Sequence, residues 1–367
     1  MTGSPLTFPV TRRADPVPDA ERAAILADPG FGVHFTDHMV TATWTPGEGW
    51  HDGAVTAYGP ITLLPSAAVL HYAQEIFEGL KAYRHEDGSV WSFRPEANAR
   101  RMIRSARRLA LPELPEDDFL ASLKAIAAAD EPWVPPVGTG ETSLYLRPFM
   151  YASESFLGVR PAKRVTYCVI ASPAGAYFPG GLKPVTLWLS ERYARAGEGG
   201  TGAAKCGGNY ASSLAGQLEG IEHGCDQAVF LDSSTHTHIE ELGGMNLFFV
   251  TDDDRLLTPE LTGSILEGVT RASVLELAKE VGLTPEERRV PIAEWKEGVA
   301  SGDIREVFAC GTAAVITPVG ELRWAGGSAP STAGAEGGEV TRTLRERLLD
   351  IQYGRAEDTH GWLTRLV

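Results

Sequence analysis

One lysine in this chain stands alone among small residues. The segment Gly199-Gly200-Thr201-Gly202-Ala203-Ala204-Lys205-Cys206-Gly207-Gly208 surrounds a single amine with glycine and alanine and puts no carboxylate beside it in sequence. A solvated surface position is the ordinary reading of a lysine, yet solvated loops rarely give one only small, uncharged neighbours. Such neighbours leave room for something flat and large. Lysines that form Schiff bases need desolvation to lower their pKa. Glu241 is the second candidate, because it precedes Leu242-Gly243-Gly244-Met245-Asn246-Leu247-Phe248-Phe249, a glycine turn entering an apolar strand. A carboxylate entering the interior there needs a partner. A buried pyridinium nitrogen would satisfy it, and so would an ordinary salt bridge.

Other motifs weigh less. Gly197-Glu198-Gly199-Gly200-Thr201-Gly202 spells GxGxxG, but the preceding strand ends near Ser190 and the next helix opens only at about Asn209, so the strand–turn–helix context of a dinucleotide site is missing. His236, His238 and Glu240 could ligate a metal from one strand, but Ser233-Ser234-Thr235 marks a polar turn and the spacing is too tight for a cupin-type set. His34 and His38 lack the glutamate of a zinc-protease helix. We therefore expect no metal. Gly268-Val269-Thr270 at a helix start and Gly311-Thr312-Ala313 after a strand each offer backbone N–H groups and a hydroxyl to an anion. Arg101 lies in the basic run Arg100-Arg101-Arg104-Arg107-Arg108, where spacing alone cannot say which arginine meets a phosphate.

The elements that must position these groups alternate between helix and strand. Helices are expected at 95–110, 116–129, 209–222, 270–281 and 341–352, the first opened by Pro95. Strands are expected at Ser143–Tyr151, Val165–Ala171, Val185–Ser190, Gln227–Leu231, Asn246–Val250 and Glu306–Cys310, with hairpins between Phe31 and Tyr58. Punctuating residues from 173 to 184 divide the chain. The expected organisation is an N-terminal arm at 1–30, mobile over its first 20 residues, a small α/β domain at 31–172 whose core begins near Phe31, an interdomain loop at 173–184, and a large domain at 185–367. The Gly/Ala/Ser-rich segment 326–338 reads as a surface loop.

Composition narrows the classes. The 367 residues are 43% hydrophobic and 22% charged, as in a folded globular chain. With 33 basic and 48 acidic residues the net charge is −15, which argues against nucleic acid and anionic lipid as partners. No apolar stretch approaches membrane-spanning length, no export signal is written near the start, and four scattered cysteines suit a reducing cytoplasm.

Two blocks then carry a resemblance. Gly199 to Tyr210 is one; Glu241 to Phe248, with Leu256-Leu257-Thr258 and Leu266-Glu267-Gly268-Val269-Thr270-Arg271, is the other, and Phe77-Glu78-Gly79-Leu80-Lys81-Ala82-Tyr83 joins them. The sequence resembles the branched-chain amino acid aminotransferases, pyridoxal 5′-phosphate enzymes of fold type IV, over nearly its whole length. The resemblance implies a two-domain α/β protein with a small N-terminal domain and a larger C-terminal pseudo-barrel domain, forming a homodimer. It implies transamination between leucine, isoleucine or valine and 2-oxoglutarate. Lys205 would carry the cofactor as a Schiff base, Glu241 would pair the pyridine nitrogen and Tyr210 the ring hydroxyl. Arg101, the amides of Val269 and Thr270, and Thr312 would hold the phosphate. Thr312 and Ala313 would receive the substrate α-carboxylate, and Tyr72, Phe77, Tyr145, Tyr177 and a partner subunit's Val159 would line the side-chain pocket. Arg147 would meet the distal carboxylate of glutamate.

The chain departs from mammalian members at Gly244, where they carry a hydroxyl residue, and at Ala314 and Thr317, where they carry a CxxC pair. D-amino-acid aminotransferase and aminodeoxychorismate lyase chemistry are alternatives within the same fold; a cupin-like metalloenzyme using His236, His238 and Glu240 is the alternative outside it.

Overall fold

The computed structural model describes residues 5–176, 183–331, 333 and 337–367, and in it the chain divides into two units. The first comprises Met1–Pro179, Ala204–Gly207 and Ile351–Val367; the second comprises Gly180–Ala203 and Gly208–Asp350. A linear reading of the chain cannot show that Ala204–Gly207, lysine included, and the C-terminal stretch count with the first unit.

In the first unit the elements run α1 (Asp19–Ala27), β1 (His38–Thr45), β2 (Gly49–Ala57), α2 (Val69–Tyr72), β3 (Glu75–Phe77), β4 (Leu80–Arg84), β5 (Val90–Phe93), α3 (Pro95–Arg108), α4 (Glu116–Ala129), β6 (Ser143–Ala152) and β7 (Val165–Ala174). They build one antiparallel sheet in the order Leu363–Arg365, β5, β4, β6, β7, β1, β2, with β3 also paired to β6. Strand alternation gives β6 two faces. Leu144, Leu146 and Met150 turn into the core, where they meet Met102 and Ala106 of α3 and Phe119, Leu123 and Ile126 of α4. Tyr145, Arg147 and Phe149 turn the other way, and the register sets Phe77 opposite Phe149 and Glu75 opposite Tyr151. Ala204 and Cys206, flanking the candidate lysine, are buried in this same core.

The N-terminal segment is tied down where the sequence suggested mobility, and the core reaches back to Leu6 rather than starting near Phe31. The N–H of Leu6 donates to Asp118, Val55 and Thr11 donate to the carbonyls of Pro9 and Val55 in turn, and Val17 N–H donates to Asp37. These acids are largely buried, and the segment's amides supply hydrogen bonds to them, alongside the Trp133 indole in the case of Asp37. His38 is the clearest case. Its Nε2 accepts the N–H of Arg13 at 3.0 Å, so its proton sits on Nδ1 and is shared with Asp130 at 2.6 Å.

In the second unit the elements are β8 (Val185–Ser190), α5 (Gly207–Glu222), β9 (Gln227–Leu231), β10 (Ile239–Leu242), β11 (Asn246–Thr251), β12 (Arg255–Pro259), α6 (Val269–Glu280), β13 (Thr284–Arg288), α7 (Ile292–Ser301), β14 (Ile304–Gly311), β15 (Val315–Trp324), β16 (Gly327–Pro330) and α8 (Glu339–Gln352). The sheet is mixed, in the order β10, β9, β8, β15, β14, β11, β12, β13, with parallel pairs at β8–β9, β8–β15 and β12–β13. Its interior strand β11 is buried along its length, in keeping with the continuous apolar run Leu247 to Val250. Residues 327–330, expected within a loop, form β16 by pairing back on the end of β15, where backbone bonds replace the missing apolar surface.

Asp130→Ala should lower unfolding free energy by about 2–3 kcal/mol, since it strips the buried His38 ring and backbone N–H of their acceptor. Urea titration of both proteins by far-ultraviolet circular dichroism measures the difference.

Candidate active site

Three hydrogen bonds fix the backbone around Lys205. Its carbonyl accepts the N–H of Phe77 at 2.9 Å, its own N–H donates to Ser105 Oγ at 2.9 Å, and Gly207 N–H donates to the Glu75 carboxylate. The lysine segment is thereby stitched to β3 and α3. The side chain is half-buried, and Nζ lies 4.9 Å from the centre of the Phe77 ring.

That ring shares its sheet face with a cation and a phenol. The Arg147 guanidinium lies 4.8 Å from the Phe77 ring centre, and its Nη2 donates to the Tyr145 hydroxyl at 3.1 Å. Arg147 Nε is buried and has no hydrogen-bond partner among the described residues. Gly79 makes room for Tyr145: a Cβ there would fall 2.0 Å from the phenolic oxygen. Phe77, Tyr145, Arg147 and Lys205 are thus brought together. Tyr72 and Val159 are exposed, at 39% and 88%, on two joined segments, the Tyr72 hydroxyl donating to the carbonyl of Leu157. Tyr177 lies outside the described residues.

Arg101, expected at a phosphate, is engaged by a carboxylate that carries no signal of its own in the sequence. Its Nε and Nη2 form a bidentate pair with the fully buried Glu78, at 2.8 and 2.7 Å, and Asn98 Nδ2 adds a third bond at 2.8 Å. Burial alone would push the Glu78 carboxyl up; the Arg101 guanidinium outweighs it and holds it below the ordinary range, with help from Asn98 and the charge of Lys205.

In the second unit Glu241 is buried, and Arg195 is its salt-bridge partner. Leu266 N–H donates to Oε1 at 2.8 Å and Asn246 Nδ2 to Oε2 at 3.2 Å. Arg195 is itself clamped by the carbonyls of Gly202 and Ser264, so the carboxylate is held from several directions. Asn246 also leans on Gly268, where a Cβ would come within 2.1 Å of its side-chain oxygen. That close approach requires glycine at the head of α6. Gly268 supplies no side-chain cap, so the first amides of the helix, Val269 and Thr270 included, present the positive end of the dipole uncapped by a side chain. Thr312 and Ala313 form the turn between β14 and β15. Tyr210 stands on α5 beside Gly244, whose missing Cβ would make an ordinary 3.7 Å contact with the Tyr210 ring.

The histidine motif resolves as a turn. Asp232 accepts the N–H groups of Thr235, Thr237 and His238 at 2.7 to 3.0 Å, and these bonds outweigh its burial and hold its carboxyl far below the usual range. His238 and Glu240 line a cavity with Asp232 and Ser264, but the described residues contain no cluster able to ligate a metal. The cysteines are buried, and desolvation pushes the Cys168 and Cys310 thiols up to about 12, which removes them as nucleophiles.

Lys205 belongs to the first unit, and Glu241 and the N-terminus of α6 belong to the second. The chain belongs to the amino-transferase class IV family, whose model matches residues 75–322. It is similar to the branched-chain-amino-acid aminotransferase of Mycolicibacterium smegmatis, at 57% identity over 369 residues covering 100% of both chains. It is similar also to the probable branched-chain-amino-acid aminotransferase of Streptomyces coelicolor, at 58% over 360 residues covering 98% and 99%. Among solved structures, the Escherichia coli branched-chain amino acid aminotransferase matches with a TM-score of 0.73 at 28% identity, covering 89% of this chain and 99% of that one. The Thermobaculum terrenum enzyme, solved in its pyridoxal-phosphate form, matches with a TM-score of 0.73 at 26% identity, covering 90% and 98%. The fold is fold type IV, and among the described residues no helix is long and apolar enough to cross a membrane.

Glu78→Gln should cost about 3–5 kcal/mol by leaving Arg101 buried against a neutral amide. Because the Glu78 carboxyl is held low in the fold, its contribution is complete above the ordinary carboxylate range and is lost as pH falls through it. The gap in urea midpoint between wild type and variant should therefore narrow below about pH 4.

Proposed function

We propose that the chain is a pyridoxal-phosphate-dependent transaminase that exchanges the amino group between leucine, isoleucine or valine and 2-oxoglutarate. The observation that carries this reading is the sheet face on which Lys205 and Arg147 flank the ring of Phe77. A transaminase must take an aliphatic side chain and a second carboxylate alternately in one place. Phe77 and Tyr145 offer the apolar wall, and the buried Arg147 Nε, which has no acceptor among the described residues, offers a donor for the distal carboxylate.

The residues present fit the cofactor. Lys205 would bind it covalently; the buried Glu241 would accept a hydrogen bond from the protonated ring nitrogen and Tyr210 would meet the ring hydroxyl. The amides of Val269 and Thr270, with Thr312 and with Arg101, would hold the phosphate, although Arg101 is already in a bidentate pair with Glu78. When bound, pyridoxal phosphate supplies an electron sink that makes the α-proton of an amino acid labile. Lys205 Nζ, freed when the substrate amine takes its place, would take that proton from substrate Cα, a transfer that depends on the backbone bonds fixing the residue. Thr312 and Ala313 would receive the α-carboxylate, and the aromatic face and Arg147 choose what side chain enters.

We further read the protein as a cytoplasmic homodimer. The joined segments bearing Tyr72 and Val159 also expose Leu64, Leu70 and Leu157, an apolar surface that a second copy would cover, with Val159 reaching its pocket. Tyr177 is assigned to that pocket from the family resemblance. Four free, buried cysteines suit a reducing compartment.

The test is spectroscopic. Protein loaded with pyridoxal phosphate should absorb in the visible, lose that band on addition of L-leucine and regain it with 2-oxoglutarate; a colourless protein, or a band indifferent to L-leucine, would sink the reading. Lys205→Ala should lose the band and nearly all turnover while keeping part of its affinity for the cofactor, which equilibrium dialysis measures. Arg147→Ala should slow the glutamate half-reaction about ten- to a hundredfold more than the leucine half-reaction in stopped flow, because only glutamate brings a second carboxylate.

A further inference from the structure

Glu75 has so far only held the lysine segment through Gly207, yet its carboxylate lies among the site residues. It lies on β3 two residues before Phe77, so both side chains leave the same face of the strand, the one that carries Tyr145 and Arg147 on β6. Its carboxylate cannot swing away, because Oε1 accepts the N–H of Gly207, two residues beyond Lys205, while the backbone is locked opposite Tyr151. It is half-buried, and it is close enough to Arg147 for the two charges to interact. Burial pushes its carboxyl up, and the Gly207 N–H and the Arg147 charge pull the other way.

This arrangement places a tethered protein carboxylate on the sheet face, and within electrostatic reach, of the one cation expected to read a ligand's second carboxylate. We propose that Glu75 is a specificity-determining residue that shares Arg147 with the distal carboxylate of a dicarboxylic substrate, weakening dicarboxylates relative to branched monocarboxylates. When an aliphatic side chain occupies the face, Arg147 keeps an anionic neighbour and its charge is not stranded. When a dicarboxylate arrives, it meets both the guanidinium and the repulsion of Glu75, so it binds well enough to react and weakly enough to leave. The inference rests on the transaminase reading above, since it needs Arg147 to face the substrate.

Glu75→Gln separates charge from position, because the amide oxygen can still accept the Gly207 N–H. The probes are inert: glutarate as the dicarboxylate and 4-methylvalerate as the branched monocarboxylate, titrated calorimetrically into pyridoxal-phosphate-loaded protein at about pH 8, above the ordinary carboxylate range. Glutarate affinity should rise about five- to tenfold in Glu75→Gln while 4-methylvalerate stays within about twofold, as expected for removing one like charge from a partly desolvated site. An unchanged affinity ratio in Glu75→Gln overturns the proposal. So does an equal loss for both probes in Glu75→Ala with no effect in Glu75→Gln, which would make Glu75 a clamp on the lysine segment alone. A wild-type protein that binds neither probe removes the transaminase reading as well, and so is distinct from failure of the Glu75 assignment.

Discussion

On the proposed reading the Lys205 amine forms and releases a covalent bond, so the residue's position has to be set by what holds its backbone. Here the hold comes from β3, which donates the Phe77 N–H to the Lys205 carbonyl and accepts the Gly207 N–H through Glu75. Much of the first unit follows from that short strand. It lies against β6, which brings Tyr145 and Arg147 to the same face, and the apolar reverse side of β6 packs on α3, whose Ser105 takes the lysine's own N–H. Shift the register by one residue and the aromatic face and the core face exchange places.

Two buried carboxylate–guanidinium pairs accompany this framework, one in each unit. Glu78 with Arg101 and Glu241 with Arg195 both lie in low-dielectric surroundings where attraction barely offsets desolvation, so neither pair is explained by stability. What each supplies is a charged group in one fixed orientation. Arg101 gains a nearly neutral environment and Glu241 gains three protein partners that aim it. The second-unit arrangement needs glycine at Gly268 for the same reason the first needs it at Gly79: a side-chain polar atom occupies the space a Cβ would take.

How much of this could be read along the chain depended on how far apart the partners lie. Lys205 and Glu241 announce themselves through immediate neighbours, glycines in one case and an apolar strand in the other, and the helices at α3, α4 and α6 follow from local periodicity. Glu75 and Glu78 carry no such signal. They look like ordinary acids interrupting a strand, because Glu75's partner Gly207 is 132 residues away and Arg101 sits in a run of five arginines with nothing to single it out. Arg195 lies in a polar loop without periodicity. The strand β16 and the tethered N-terminal segment were hidden for a related reason: backbone hydrogen bonds rather than apolar side chains hold them, and amides leave no trace in composition.

The strand β2 is the last in its sheet, and the residues around Val10 run alongside it, Val55 exchanging backbone bonds with Pro9 and Thr11. A bare edge strand is a template on which a second chain can add itself without any specific recognition, and aggregation begins at such templates. By lying there in extended form, the N-terminal segment acts as a guard for colloidal behaviour, whatever it contributes to the fold. Sequence change that loosens the segment would bare the β2 edge, an effect on association between copies that is separate from the site.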